Sequence, residues 1–231
     1  MDEHRNHTLS VQQVTLRYGR QAPVLEAASM HLDSSSVHLL IGRNGSGKSS
    51  LLRAMAGLQS IHSGRIEVDG TDMHTASHDE RARRAAYVAS TPPRSSQLRV
   101  GEVLQLAAAA GEDAHAMLSQ LGEAGWWNRR LDSLSDGQAQ RVMFARALLQ
   151  RAPWVFLDEP TAFLDVPSKR VFWEQLQHAA LRGQQLVLAT HDYEYIAGQG
   201  LQGTVHGIRD RRIEALDPTG SAHDWTDWMG H

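Results

Sequence analysis

The chain of 231 residues contains no cysteine. That excludes a disulfide scaffold, thiolate metal sites and a cysteine nucleophile. No apolar run reaches the ~18–20 residues that cross a bilayer. The first residues, Met1-Asp2-Glu3-His4-Arg5-Asn6-His7, lack the apolar core of a secretory signal, so the protein is expected to stay where it is made. Basic side chains are not in excess: 23 Lys and Arg stand against 26 Asp and Glu, for a formal charge of −3. A protein that binds nucleic acid over its whole surface leans the other way. Internal repeats and low-complexity tracts are missing too. What remains is ordinary globular composition, 41% hydrophobic and 21% charged, in a chain long enough to bury its own core.

Four short apolar runs stand out: Val37-His38-Leu39-Leu40-Ile41, Ala86-Tyr87-Val88-Ala89-Ser90, Trp154-Val155-Phe156-Leu157 and Gln185-Leu186-Val187-Leu188-Ala189. Each suits a strand buried on both faces. Helical patterns separate them, at 50–57 (closed by Gly57), 77–85 and 169–181, and through most of 100–151 with a long helix after Ser135. Strands alternating with helices predict an α/β fold with a mainly parallel sheet. The segment 9–32 reads as further strands, Asp69-Gly70 as a hairpin turn and 204–216 as a terminal hairpin. Thr91-Pro92-Pro93 breaks the pattern and marks a boundary, so the helical stretch reads as an insertion between core strands. The tail 217–231 carries two Trp and no Lys or Arg, and its sequence assigns it no place.

Gly42-Arg43-Asn44-Gly45-Ser46-Gly47-Lys48-Ser49, followed by Ser50, lies between a buried strand and a helix start. This is the G-x-x-x-x-G-K-[ST] phosphate loop. Its glycines let backbone N–H groups turn inward around phosphate oxygens. The helix adds its positive dipole end. The Lys48 ammonium reaches the β- and γ-phosphates, and the Ser49 hydroxyl suits Mg²⁺. A second motif, Val155-Phe156-Leu157-Asp158-Glu159-Pro160, ends an apolar strand in two carboxylates. Alone, such a pair reads as a charged helix N-terminus. Beside a phosphate loop, Asp158 suits Mg²⁺ and Glu159 suits the general base that addresses the attacking water.

Leu134-Ser135-Asp136-Gly137-Gln138, with Gln140-Arg141-Val142-Met143-Phe144-Ala145-Arg146-Ala147-Leu148 after it, precedes Asp158 by about 20 residues. With this the chain resembles the ATP-binding subunits of ABC transporters, over about residues 8–216. Their signature is usually Leu-Ser-Gly-Gly-Gln, and Asp136 stands for the first Gly of its Gly-Gly pair. The resemblance implies a P-loop NTPase core of ABC type in one domain. Residues 1–90 and 151–216 would form the core with an N-terminal antiparallel β subdomain, and 91–150 an inserted helical signature subdomain. It also implies ATP and Mg²⁺ as ligands. Ser135, Asp136, Gly137 and Gln138 would face the γ-phosphate of a nucleotide held by the other subunit of an ATP-bound homodimer; as residues alone, Ser135 and Gln138 read as a helix capping box. Tyr18 sits where the family stacks an aromatic on adenine. Thr161-Ala162-Phe163-Leu164-Asp165 matches the loop that crosses the dimer interface, ending in Asp165. His191, in Val187-Leu188-Ala189-Thr190-His191-Asp192, matches the histidine that senses γ-phosphate.

One position departs. The family usually places Gln after the strand ending near 89, where it joins Mg²⁺ and couples hydrolysis to the membrane subunit; here Ser90 stands there, with a shorter arm. The resemblance further implies integral membrane permease subunits, docked in a groove near Ser90 to Leu98. An extracytoplasmic substrate-binding protein would act through them, and the chain would sit peripherally on the cytoplasmic face of the inner membrane. Ser-Asp-Gly-Gln together with Asp-Glu-Pro-Thr-Ala-Phe-Leu-Asp resembles subunits that energise import of iron–siderophore, haem or cobalamin complexes. The alternatives are a soluble ABC-type ATPase acting on nucleic acid or ribosomes, and a regulatory subunit that binds nucleotide without hydrolysis. Missing coiled-coil insertions, a single module and the charge balance count against the first. Lys48, Asp158, Glu159 and His191 count against the second.

Overall fold

The computed structural model describes residues 6–33, 37–93, 96–192 and 203–230. Residues 94 and 95, inside the stretch expected to meet the permease, and the first five residues lie outside the described ones.

The chain runs through β1 (Leu9–Leu16), β2 (Leu25–Leu32), β3 (Val37–Gly42), α1 (Lys48–Met55), β4 (Ser63–Val68), β5 (Thr71–Asp72), α2 (His78–Arg84) and β6 (Ala85–Val88). Then come α3 (Val100–Ala107), α4 (Ala114–Gln120), α5 (Asp136–Leu149), β7 (Trp154–Asp158), α6 (Val166–Leu181), β8 (Gln185–Ala189), β9 (Gly203–Arg209), β10 (Arg212–Leu216) and α7 (Ala222–Met229). Six strands form the central sheet in the order β10-β9-β3-β8-β7-β6. All its neighbours are parallel except the β9–β10 hairpin at one edge. The other four form an antiparallel sheet, β2-β1-β4-β5. The two sheets meet where the Glu26 amide donates to the Arg211 carbonyl at 2.9 Å. The fold is therefore α/β with a mixed sheet and a separate antiparallel one, as the alternation of buried runs and helices implies.

Every residue of β3, β7 and β8 is buried. Alternation along β7 sends Val155 and Leu157 into a core shared with α3 to α6, and Trp154 and Phe156 into a core shared with α1 and the antiparallel sheet. Burying one such side chain stabilises the fold by about 1.5–3 kcal/mol, so the central strands are held from both faces. His38 sits among them, only 1% exposed, with Nδ1 2.8 Å from Thr204 Oγ1 and its ring stacked 5.7 Å from that of Trp154.

Two of the boundaries differ from the sequence expectation, and the tail that the sequence leaves without a place takes on structure. The sixth helix begins at Val166 rather than 169, because Pro167 lies in its first turn, where no N–H is needed, and Asp165 caps it by accepting from the Ser168 amide at 3.0 Å. The strand expected at 86–90 is Ala85–Val88, so Ala89 and Ser90 lie beyond it. The tail forms a helix. Trp225 is its buried residue, and Trp228 lies so close to β9 that a Cβ on Gly207 would run into its ring. Arg209 stacks over that ring at 4.6 Å.

Candidate nucleotide site

The parallel strands β3, β7 and β8 end side by side, and the loops that follow them converge. In open α/β sheets the carboxyl ends of the strands are where ligands bind. The loop from Gly42 to Ser49 leaves β3 and enters α1 through Gly47, whose φ of +106° suits only glycine; Gly45 has φ +79°. Lys48 is 6% exposed. Its ammonium folds over the loop and donates to the carbonyls of Gly42 at 2.8 Å and Arg43 at 3.3 Å. Burial pushes Lys48 below its ordinary value, and Glu159 and Asp158 oppose that shift. Arg43, Asn44 and Gly45 are exposed at the loop's tip, and Ser46 and Gly47 sit deeper.

Asp158 closes β7 and is 1% exposed. Its Oδ1 accepts from the Ser49 hydroxyl at 2.9 Å, across 109 residues of chain. Tyr87 on β6 donates its hydroxyl to Oδ2 at 3.3 Å. Burial and the Asp158 charge push the Tyr87 phenol upward, so it stays protonated. Glu159 follows in a left-handed conformation, φ +45°, with its amide donating to Ala189 O at 2.8 Å. That conformation costs a non-glycine residue on the order of 1–2 kcal/mol, and it turns the carboxylate toward β8. There Oε2 accepts from the His191 amide at 3.1 Å, and the ring Nε2 of His191 lies 3.1 Å from Oε1. Burial pushes Glu159 up to about 7, against the pull of the His191 amide and Lys48. Burial and Lys48, 3.4 Å away, push His191 down, so its imidazole is neutral at neutral pH.

Lys48, Ser49, Asp158, Glu159 and His191, chosen from three separate motifs, thus form one constellation. The residues fit a nucleotide triphosphate with its cation. A cradle of left-handed glycines faces an ammonium, and a hydroxyl and a carboxylate 2.9 Å apart form the hard oxygen pair that suits Mg²⁺.

Other expected residues sit on neighbouring elements. Tyr18 occupies the turn after β1. Its hydroxyl lies 2.7 Å from Ser50 Oγ, accepts from Arg53 at 3.0 Å and donates to Gln59 at 3.2 Å, while the side chain stays 46% exposed. Burial raises this phenol, but the bonds to Ser50 and Arg53 outweigh it and lower the value. Ser135 caps α5: its hydroxyl accepts from the Gln138 amide at 3.3 Å and its own amide donates to Gln138 Oε1 at 3.1 Å. Asp136 lies in the first turn. Gly137 abuts the loop before α6, where a Cβ would stand 2.4 Å from the Phe163 carbonyl oxygen. Asp165 caps α6, and its carboxylate is held below the usual range by the Ser168 hydroxyl and amide. Ser90 lies two residues beyond the end of β6, the strand next to β7.

Sequence reasoning passed over Tyr87, Arg53 and Asp192. Asp192 accepts from the Thr161 hydroxyl and from Lys169 at 2.9 Å, tying the loop before α6 to His191's neighbour. Tyr87 pairs with Phe156 and so shares a face with Asp158, which becomes visible only once the strands are paired.

The family model described as "ABC transporter" matches residues 25–162. The chain is 31% identical over 208 residues to the zinc transport system ATP-binding protein TroB of Treponema pallidum, covering 83% of this chain and 75% of that protein. It is 32% identical over 206 residues to the hemin import ATP-binding protein HmuV of Streptomyces coelicolor, covering 85% and 73%. A solved ATP-binding subunit of an ABC transporter shares the fold, with a TM-score of 0.83 at 23% identity over 96% of this chain and 99% of that one. The chain belongs to the ABC transporter family and is one of its ATPase subunits.

Proposed function

We propose that this ATPase subunit powers import of an iron chelate, haem or cobalamin-type complex through separate membrane-spanning permease subunits. The observation that carries the ATPase chemistry is the convergence of Lys48, Asp158, Glu159 and His191 at the ends of three parallel strands. The cargo class is supported by the hemin-importing relative and by the Ser-Asp-Gly-Gln motif; the zinc-transporting relative widens it to metal uptake. Among the described residues no helix is long and apolar enough to cross a membrane. Permeases would therefore supply the passage, with this chain peripheral on the cytoplasmic face of the inner membrane. An extracytoplasmic binding protein would deliver cargo to them.

The loop's amides and Lys48 bind and orient the β- and γ-phosphates. Ser49 and Asp158 would hold Mg²⁺, whose charge neutralises phosphate oxygens. Glu159, with a value near neutrality, accepts the proton of the water that attacks the γ-phosphorus as the bond to ADP breaks. The neutral His191 ring donates toward the same region and keeps Glu159 aligned. Tyr18 offers its exposed ring to adenine. Ser135, Asp136, Gly137 and Gln138 would close on the nucleotide of a second copy, with Asp165 near the junction, so that ATP joins two chains and hydrolysis releases them. Helices between 91 and 150 form the subdomain that passes this motion to the permease, beside Ser90.

The test uses tagged Glu159→Gln protein with ATP against detergent-solubilised membranes of the source cell. Removing the base lowers hydrolysis by about 10²–10⁴-fold, ATP-dependent dimers accumulate, and a multi-span membrane protein is retained. Undiminished hydrolysis would overturn the role of Glu159. Recovery of ribosomes or nucleic acid instead of a membrane protein would overturn the transport reading.

A further inference from the structure

The geometry points to Tyr87 as a positioning residue that presents Asp158 to the nucleotide's cation, a task the chain assigns to the strand before Ser90. The inference rests on the reading of Asp158 as the carboxylate that would hold Mg²⁺. Asp158 is buried at the end of β7, and its two oxygens have separate partners. Ser49 donates to Oδ1 at 2.9 Å, and Tyr87 donates to Oδ2 at 3.3 Å. With one donor a carboxylate turns about its χ2 bond, a broad, roughly two-fold torsion. With a second donor on the opposite oxygen the plane is set, and Oδ1 stays on the Ser49 side where the phosphate loop opens.

The proton of Tyr87 has one direction to go. Arg53 is the other side chain acting on this hydroxyl. A guanidinium donates and never accepts, so the phenol's hydrogen belongs to Asp158. The same Arg53 donates to the Tyr18 hydroxyl at 3.0 Å and to Gln59 at 3.1 Å, which holds it in place on α1. Backbone pairing supports the placement: β6 and β7 are parallel, with Tyr87 opposite Phe156 and Val88 opposite Leu157, so Tyr87 points to the face that carries Asp158. Ser90 lies three residues further on, with a side chain of one carbon and one oxygen. Tyr87 instead spans the gap from inside the strand, where its backbone is fixed by the sheet. Groups behind a metal-holding carboxylate orient it and tune its affinity, and their loss weakens metal binding without removing a ligand.

The test is the Mg²⁺ dependence of nucleotide binding, read with a fluorescent ATP analogue on the full chain. Tyr87→Phe keeps the ring and removes only the hydroxyl. The expected result is a rise of about 3- to 10-fold in the Mg²⁺ concentration that half-saturates the tightening of nucleotide binding, with unchanged affinity in EDTA. Asp158→Asn is measured alongside. If Asp158→Asn abolishes the Mg²⁺ dependence and Tyr87→Phe leaves it at the parent value, the role of Tyr87 is overturned and that of Asp158 stands. If Asp158→Asn retains full Mg²⁺ dependence, the metal reading itself falls. An equal loss of affinity by Tyr87→Phe with and without Mg²⁺ would assign the hydroxyl to general packing and also overturn the proposal.

Discussion

His38 makes the fold sensitive to acid in a way that can be measured. Its ring is buried in the central sheet, far along β3 from the phosphate loop. Burial, aided by the nearby His206, lowers it from 6.5 to about 4, and Asp33 and Gln185 pull weakly the other way. Burial lowers His206 as well. A depressed histidine stabilises the fold fully above its unfolded value. That contribution is lost as pH falls from 6.5 toward the folded value, because the unfolded chain takes up the proton first. Integrating between those two values, the loss from pH 7 to pH 5 is about 2 kcal/mol, approaching about 3 kcal/mol near pH 4 and below. The ring is 1% exposed, so solvent screening takes little from this figure. The perturbation is His38→Asn, which keeps a polar partner for Thr204 and removes the titration. Urea unfolding at pH 7, 6 and 5 gives the stability of both proteins. The parent should lose about 2 kcal/mol more than His38→Asn between pH 7 and pH 5, whatever offset the substitution introduces at pH 7. Both proteins keep the smaller acid response of His206. Parallel stability curves, with a constant difference at all three pH values, would refute the reasoning.

Lys48→Ala removes the charged donor of the phosphate loop and should weaken ATP binding by about ten- to a hundredfold, measured with a fluorescent nucleotide. Gly137→Ala places a Cβ 2.4 Å from the backbone oxygen of Phe163. Neither backbone gives way easily, so a stability loss of about 1–3 kcal/mol is expected by urea unfolding, and ATPase activity should fall. Gly207→Ala drives a methyl into the Trp228 ring and should loosen α7. Its signature is a change in tryptophan fluorescence and faster proteolysis of the tail, relieved when Trp228→Ala is added.

The phosphate loop, the apolar strands and their carboxylates were legible because each is local: a run of adjacent residues carries both the element and its chemistry. The meeting of Ser49 with Asp158 was legible through the pairing of two known motifs, although 109 residues separate them. The sixth helix was read three residues short because Pro167 looks like a breaker in a linear pattern and becomes an ordinary first-turn residue once Asp165 supplies the cap. Tyr87 carries no motif, and Asp192 enters the sequence reading only as the residue after His191. Their significance comes from which strand lies beside β7 and which loop lies beside β8, and strand order is set by packing across the whole sheet. The tail stayed unread for a related reason. Its helix has eight residues, too few to persist alone in water, and it forms against a strand whose glycine leaves room for a tryptophan ring.

The helices α3 to α5 enter after β6, the last strand at one edge of the sheet, and return through β7 beside it. Two amides fasten their far end: Gln140 donates to Ala89 O at 2.9 Å, and Gln150 to Ala82 O at 2.6 Å and Ala85 O at 3.1 Å. Because the excursion starts and finishes on adjacent strands at a sheet margin, residues added to or removed from it leave every strand register untouched. The length of this excursion can therefore change without moving the strand ends that carry Lys48, Asp158 and His191. The register of the central sheet and the length of its helical excursion are thus separable within one polypeptide.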